Sequence, residues 1–109
     1  MGVRAVVSLK REDMPAVGRD RVRLLEAVAR EGSISAGARA MGITYRAAWD
    51  ALEAMANVFA QPLIETRIGG REKGGARLTE AGGRVIKAFH RLESEMARMS
   101  RDVDAELAG

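Results

Sequence analysis

Apolar positions recur along this chain at helical spacing in three places and alternate in two shorter ones. Val22, Leu25, Val28 and Ala29 are three and four apart, which predicts a helix from residue 19 or 20 to 31, buried along one stripe and ended by Gly32. Ala48, Leu52, Met55 and Phe59 repeat the pattern in a second helix that opens behind Thr44 and that Pro62 cannot continue. Thr44 suits the N-cap, because its hydroxyl can accept from a free N–H of the first turn. A short helix over 35–41 fits between them, with Gly42 supplying the left-handed backbone that ends it. Residues 3–9 alternate partly and contain three valines, so a short N-terminal strand is expected, then a loop over 11–18 with Pro15 and Gly18. Leu63, Ile64 and Thr66 suggest a strand through Arg67, and 76–78 its returning partner.

The last helix, from 80 to beyond 103 with Thr79 as its cap, carries Val85, Phe89, Leu92, Met96, Met99 and Val103. The alternating steps of four and three are the seven-residue repeat of a coiled-coil seam. A helix of about 25 residues is about 37 Å long, more than a small domain can cover. These six residues therefore predict pairing with the same helix of a second subunit. The competing reading is that the first half covers the monomer core and the second half frays.

A short helix, a glycine-containing turn and a second helix make a helix-turn-helix. The fold class read from the pattern is mainly α with a small β-hairpin. It is a winged helix-turn-helix with a long C-terminal dimerisation helix and an N-terminal strand. It forms one domain over 1–109, divided at 18 and 78. Away from the core face of the helix that opens at Thr44 fall Tyr45, Arg46, Asp50 and Glu53. Tyr45 and Arg46 lie in the first turn, where such a helix meets base edges and phosphates. Arg46 suits a bidentate pair to guanine or a phosphate, and Asp50 either accepts from cytosine or braces Arg46. Trp49 lies beside the core stripe; packing inside is its expected role, and the edge of the DNA groove is the alternative.

Composition narrows the function further. The chain has 109 residues, no cysteine and a net charge of +3. Disulfides and thiolate metal sites are excluded, and a reducing cytoplasm is the simplest setting. No stretch resembles a signal peptide or a membrane span. The densest basic cluster is Arg67, Arg71, Lys73 and Arg77, opposed only by Glu72. Two glycine pairs, Gly69 with Gly70 and Gly74 with Gly75, frame Arg71 and Lys73, so this loop can approach a phosphate backbone closely. The alternative is a hairpin tip whose charges serve solubility. His90 is the only histidine and reads as a partly packed surface residue. No catalytic set and no metal cluster can be assembled, so neither an enzyme nor a cofactor is expected.

The strings GSISAGARAMGITYRAAWDALEAM and PLIETRIGGREKGGARLTEAGGRVI carry a resemblance. They resemble the N-terminal DNA-binding domain of the molybdate-responsive ModE-type regulators, within the larger LysR-type winged-helix group. The shared motifs cover residues from about 24 to 92. The resemblance implies a homodimer reading a palindromic operator in double-stranded DNA, with Ser33, Ser35, Thr44, Tyr45, Arg46, Ala47 and Asp50 at or near the DNA. It also implies a wing formed by Arg67, Gly69, Gly70, Arg71, Lys73, Gly74 and Gly75. Regulators of this type carry molybdate-binding domains that these 109 residues lack, so direct molybdate binding is not expected and the sensor is expected on another chain, if one exists. Glu72 departs from the pattern by placing an acid within the basic run. Two other functions fit such a scaffold: a protein-interaction adaptor, and a nucleoid-type binder with no sequence preference.

Overall fold

The computed structural model describes residues 2–67 and 74–108, and their elements follow in the order α1 (Arg19–Glu31), α2 (Ile34–Met41), α3 (Tyr45–Phe59), β1 (Ile64–Arg67), β2 (Gly75–Leu78) and α4 (Glu80–Ala108). Each helix boundary has a local cause. Gly32 ends α1 at φ 83°, its N–H donating to the Val28 carbonyl. Ser33 opens α2 by accepting from the Ala36 N–H at 3.0 Å, and Gly42 closes it at φ 70°. Thr44 accepts from the Ala47 N–H at 3.1 Å and so opens α3. The end of α3 lacks a glycine: Ala60 takes φ 57°, at a cost of roughly 1–2 kcal/mol. The Gln61 N–H compensates by donating to the Ala56 carbonyl at 3.1 Å.

Phe89 of α4, Leu25, Val22 and Val28 of α1, Met55 and Leu52 of α3, and Leu63 form one buried cluster. Two glycines permit the close approaches on which it depends. A Cβ at Gly37 would lie 2.6 Å from Val28 Cγ2 and 2.9 Å from its Cα, so α2 meets the backbone of α1. A Cβ at Gly82 would lie 2.3 Å from the Leu63 carbonyl oxygen, so the start of α4 meets the chain entering β1.

The seven-residue repeat on α4 divides in two. Val85 and Phe89, expected in an intermolecular seam, are buried inside the protomer, Phe89 completely. The reason is that α1 and the core cluster behind it already provide the apolar face that the first half of α4 needs. Leu92, Met99 and Val103 are exposed, and Leu107 extends the same rhythm by four. With 29 residues, α4 is about 43 Å long, and the chain measures 61 Å along its greatest extent.

The N-terminal strand is not formed. Among residues 3–9 only Leu9 pairs, in a single antiparallel bridge to Val17. Val3 and Ala5 instead lie along α4, their N–H groups donating to Asp104 Oδ1 at 2.6 Å and to Ser100 Oγ at 2.9 Å. The valines alternate as in a strand, but polar side chains of a helix supply the acceptors that a strand neighbour would have offered.

The hairpin pairs antiparallel, Ile64 opposite Leu78 and Arg67 opposite Gly75. Its base is held twice. The Ala76 N–H donates to the Gly32 carbonyl at 2.8 Å, and Ser33 bridges Gly75, which ties β2 to the turn between α1 and α2. The Thr79 hydroxyl donates to the Pro62 carbonyl at 2.7 Å and accepts from the Gly82 N–H at 3.0 Å, so one side chain closes the hairpin and caps α4.

Gly37→Ala and Gly82→Ala are each expected to lower stability by about 1–3 kcal/mol through overpacking. Gly83→Ala meets nothing within 4 Å and is expected to raise it by about 0.5–1 kcal/mol. Urea midpoints of the three variants check both signs.

Candidate nucleic-acid interface

The burial of α3 leaves one strip free. Ala48, Leu52, Met55 and Val58 face the core, while Tyr45, Arg46, Trp49, Asp50 and Glu53 are exposed. At 100° per residue, the first two helical positions and the two found one turn later form one continuous surface: Tyr45, Arg46, Trp49 and Asp50. Trp49, expected to pack inside, is 41% exposed. It stands one residue past the inward-facing Ala48 and is in phase with Tyr45, and the core face of α3 is already filled by smaller side chains. Arg46 Nε lies 3.3 Å from Asp50 Oδ1, so Asp50 does brace the arginine in the free protein. An exposed pair at this spacing is worth only about 0.3–0.5 kcal/mol, so Arg46 can leave Asp50 for a stronger acceptor at little cost.

Both hydroxyls that cap α2 and α3 are engaged as acceptors by the helix backbone. Ser33 and Thr44 accept from Ala36 and Ala47, so each keeps its O–H proton and a second lone pair for an outside partner. Ser35 and Ala47, in the first turns of the two helices, are exposed. Arg11 is a supporting residue with no signal in the sequence pattern. Its Nε donates to the Val58 carbonyl at 2.5 Å, placing a cation at the C-terminal turn of α3, where the helix dipole favours it. The contact joins positions 47 residues apart, and nothing in the spacing of apolar residues points to it.

On the hairpin, Arg67 is exposed and Gly74 takes φ 81° beside Gly75. Gly69, Gly70, Arg71 and Lys73 lie outside the described residues. The basic cluster is smaller than its sequence suggests. Arg77 Nε lies 3.0 Å from Glu65 Oε2, directly across the ladder. Counting the hairpin register would have found this pair; counting charges along the chain finds only Glu72.

Other charged groups hold the framework together. His90 Nε2 lies 2.9 Å from Glu26 Oε2, and Arg19 Nε 2.7 Å from Glu93 Oε2, a row that joins α1 to α4. Among the described residues no three His, Cys, Asp or Glu side chains gather as metal ligands, and no buried side-chain N or O lacks a partner. A cavity of about 880 Å³ forms an open groove between residues 2–8 and the side of α4 that carries Met96, Ser100 and Asp104. No residue of α3 lines it. No helix among the described residues is long and apolar enough to cross a membrane.

Comparison with known proteins agrees with this geometry. Residues 20–83 match the family described as bacterial regulatory helix-turn-helix protein, lysR family. The molybdenum-pterin-binding protein MopA of Rhodobacter capsulatus is 49% identical over 94 residues, 86% of this chain and 36% of that protein. The molybdenum transport protein ModE of Azotobacter vinelandii is 42% identical over 91 residues, 84% of this chain and 34% of that protein. The chain thus spans about a third of the length of these relatives. Among solved structures, the crystal structure of the CbnR DBD–DNA complex superposes with a TM-score of 0.60 at 24% identity, covering 82% of this chain and 95% of that one. At that identity the likeness concerns the fold.

Thr44→Ala is expected to cost about 1 kcal/mol by leaving an N–H at the start of α3 without its acceptor, and Thr44→Ser to retain most of that energy. Chemical denaturation of the two variants separates the hydroxyl from the methyl group.

Proposed function

The chain belongs to the LysR family of bacterial regulatory helix-turn-helix proteins, and from that premise we propose that it is a transcriptional regulator that binds a palindromic operator in double-stranded DNA as a homodimer. The observation that carries this reading is the exposed strip at the start of α3, held by a core on its opposite face and by caps at its end. Arg46 reads a guanine edge or grips a phosphate, and Asp50 steers it. Thr44, Tyr45, Ala47, Ser33 and Ser35 approach the backbone and base edges around it. The hairpin adds phosphate contacts through Arg67 and, by sequence, through Arg71 and Lys73, where the glycines Gly69, Gly70, Gly74 and Gly75 keep the chain slim. These contacts supply affinity on any sequence, and α3 supplies selection.

Pairing of two chains runs through the part of α4 that the protomer leaves uncovered. Leu92, Met99 and Val103 form that seam, with the half-buried Met96 at its edge and Leu107 prolonging it. A two-fold dimer presents two α3 helices to half-sites about one turn of DNA, roughly 34 Å, apart. The names of the two relatives tie them to molybdenum, and this supports a role for the chain in controlling molybdenum-related genes in the cytoplasm. The matched region is the operator-binding part of such a regulator. We therefore assign the signal to a sensor that is not built from these residues.

Selection from a random duplex pool is expected to enrich a palindrome. Recovery of no preferred sequence would replace this reading with that of an architectural binder. On the selected site, Arg46→Ala is expected to lose about 1–3 kcal/mol of binding and to relax base preference at one position per half-site. Equal weakening on all sequences would make Arg46 a phosphate contact.

A charge placed in the seam tests the dimer. Met99→Glu combined with Val103→Glu is expected to convert the protein to monomers in sedimentation velocity without altering the buried half of α4. An unchanged sedimentation coefficient would move the interface elsewhere.

A further inference from the structure

The large apolar side chains exposed on the described surface fall into two groups. Val3, Val6, Leu92, Met99, Val103 and Leu107 belong to the N-terminal segment and to α4, whose members the proposed dimer seam would cover. Ile43, Tyr45 and Trp49 stand at the other group, at and just before the start of α3, with Tyr45 54% exposed. An aromatic side chain removes 150–250 Å² from water when it is covered, so the part of the Trp49 indole left in solvent is apolar surface that a partner can still cover. The helix phase keeps it there, because Ala48, Leu52, Met55 and Val58 complete the inward face. The described chain covers part of it and leaves 41% of the residue to solvent.

The strip on α3 therefore has two edges of different chemistry. Arg46 and Asp50 make one, polar and linked to each other. Trp49 and Tyr45 make the other, more apolar, four residues apart and so neighbours on one face of the helix. In the major groove every base pair offers donors and acceptors, but only thymine offers an apolar group, its C5-methyl. Apolar contact with that methyl is a recognised means of base selection. The Trp49 indole, on the same surface as Arg46 and one turn into the helix, is placed to make it, and Arg46 and the basic hairpin give that surface the charge that suits DNA.

We infer that Trp49, supported by Tyr45, selects A·T pairs in each half-site by packing on thymine methyl groups, beside the polar reading by Arg46. This rests on the proposal that α3 supplies base selection, here taken to act in the major groove, and it adds to that proposal a second chemical means of selection.

Replacing single thymines of the selected operator with deoxyuridine removes the methyl and leaves every hydrogen-bonding group in place. At one or two symmetry-related thymines this is expected to weaken the wild-type protein about three- to fivefold, the worth of one buried carbon. The same replacement is expected to leave Trp49→Ala unaffected, while Trp49→Phe keeps part of the discrimination. Uracil effects that are absent, or equal in wild type and Trp49→Ala, would overturn the assignment.

Trp49 is the sole tryptophan, so the unaltered protein provides an independent reading. Its emission should shift to shorter wavelength and become less accessible to acrylamide when operator is added. Unchanged emission and accessibility in a saturated complex would likewise overturn the assignment. Failure of the underlying reading looks different: the wild type would then show no preference for the selected operator over random duplex.

Discussion

Burial of Phe89 against α1, in the core shared with α3, is the contact from which the other features of this protein follow. It joins the one long helix to the helix-turn-helix in a single core with Leu25, Val28 and Met55. Burying such a ring is worth about 1.5–3 kcal/mol. A side chain that is wholly inside one protomer cannot also sit in a seam between two. The same contact thus fixes the point at which α4 stops serving its own core, and beyond Leu92 the helix runs on with residues 3–5 along one side and an apolar stripe exposed on another. The close approach at Gly82 and the double role of Thr79 fix where that helix starts. The hairpin and α4 consequently leave the same small junction in set directions.

The candidate DNA surface depends on this frame more than on its own residues. Helix α3 is held at its N-terminus by Thr44, along its inner face by the core, and near its C-terminus by Arg11. Its outer strip is free because none of these contacts uses it. The exposed ion pair between Arg46 and Asp50 is weak enough to exchange for DNA, whereas the capping bonds face the helix backbone and have no reason to change. A rigid helix with a loosely held outer layer is what selective reading requires, since the ordering cost of the backbone has been met before binding. On the hairpin, the pairing of Arg77 with Glu65 leaves Arg67 as the exposed cation of the described strands that has no partner across the ladder.

Much of the fold is legible in the residues themselves. The start of α3 at Tyr45, its N-cap at Thr44, the glycine ends of α1 and α2, the hairpin and the length of α4 follow from spacing and capping chemistry, which act over a few residues. Arg46, Asp50 and Tyr45 on the outer face of α3 follow from the same arithmetic. Trp49 does not, because at its angle, beside the apolar stripe, the depth of the neighbouring core decides between inside and outside. A periodic pattern specifies which residues share a face; it does not specify how much of that face a neighbour will cover.

The residues by themselves determined the elements, their order, their caps and the strip that α3 turns away from its apolar face. Tertiary structure alone decided that Val85 and Phe89 belong to the core while Leu92, Met99 and Val103 remain outside it. It also decided that residues 3–5 run along α4 instead of forming a strand, that Glu65 neutralises Arg77, and that Arg11 reaches the end of α3. All of these join positions that are distant in the chain or on different elements. Local spacing reports the phase of a helix or strand, but burial and pairing depend on which surfaces the folded chain brings together, and that is settled only when the core closes around Phe89.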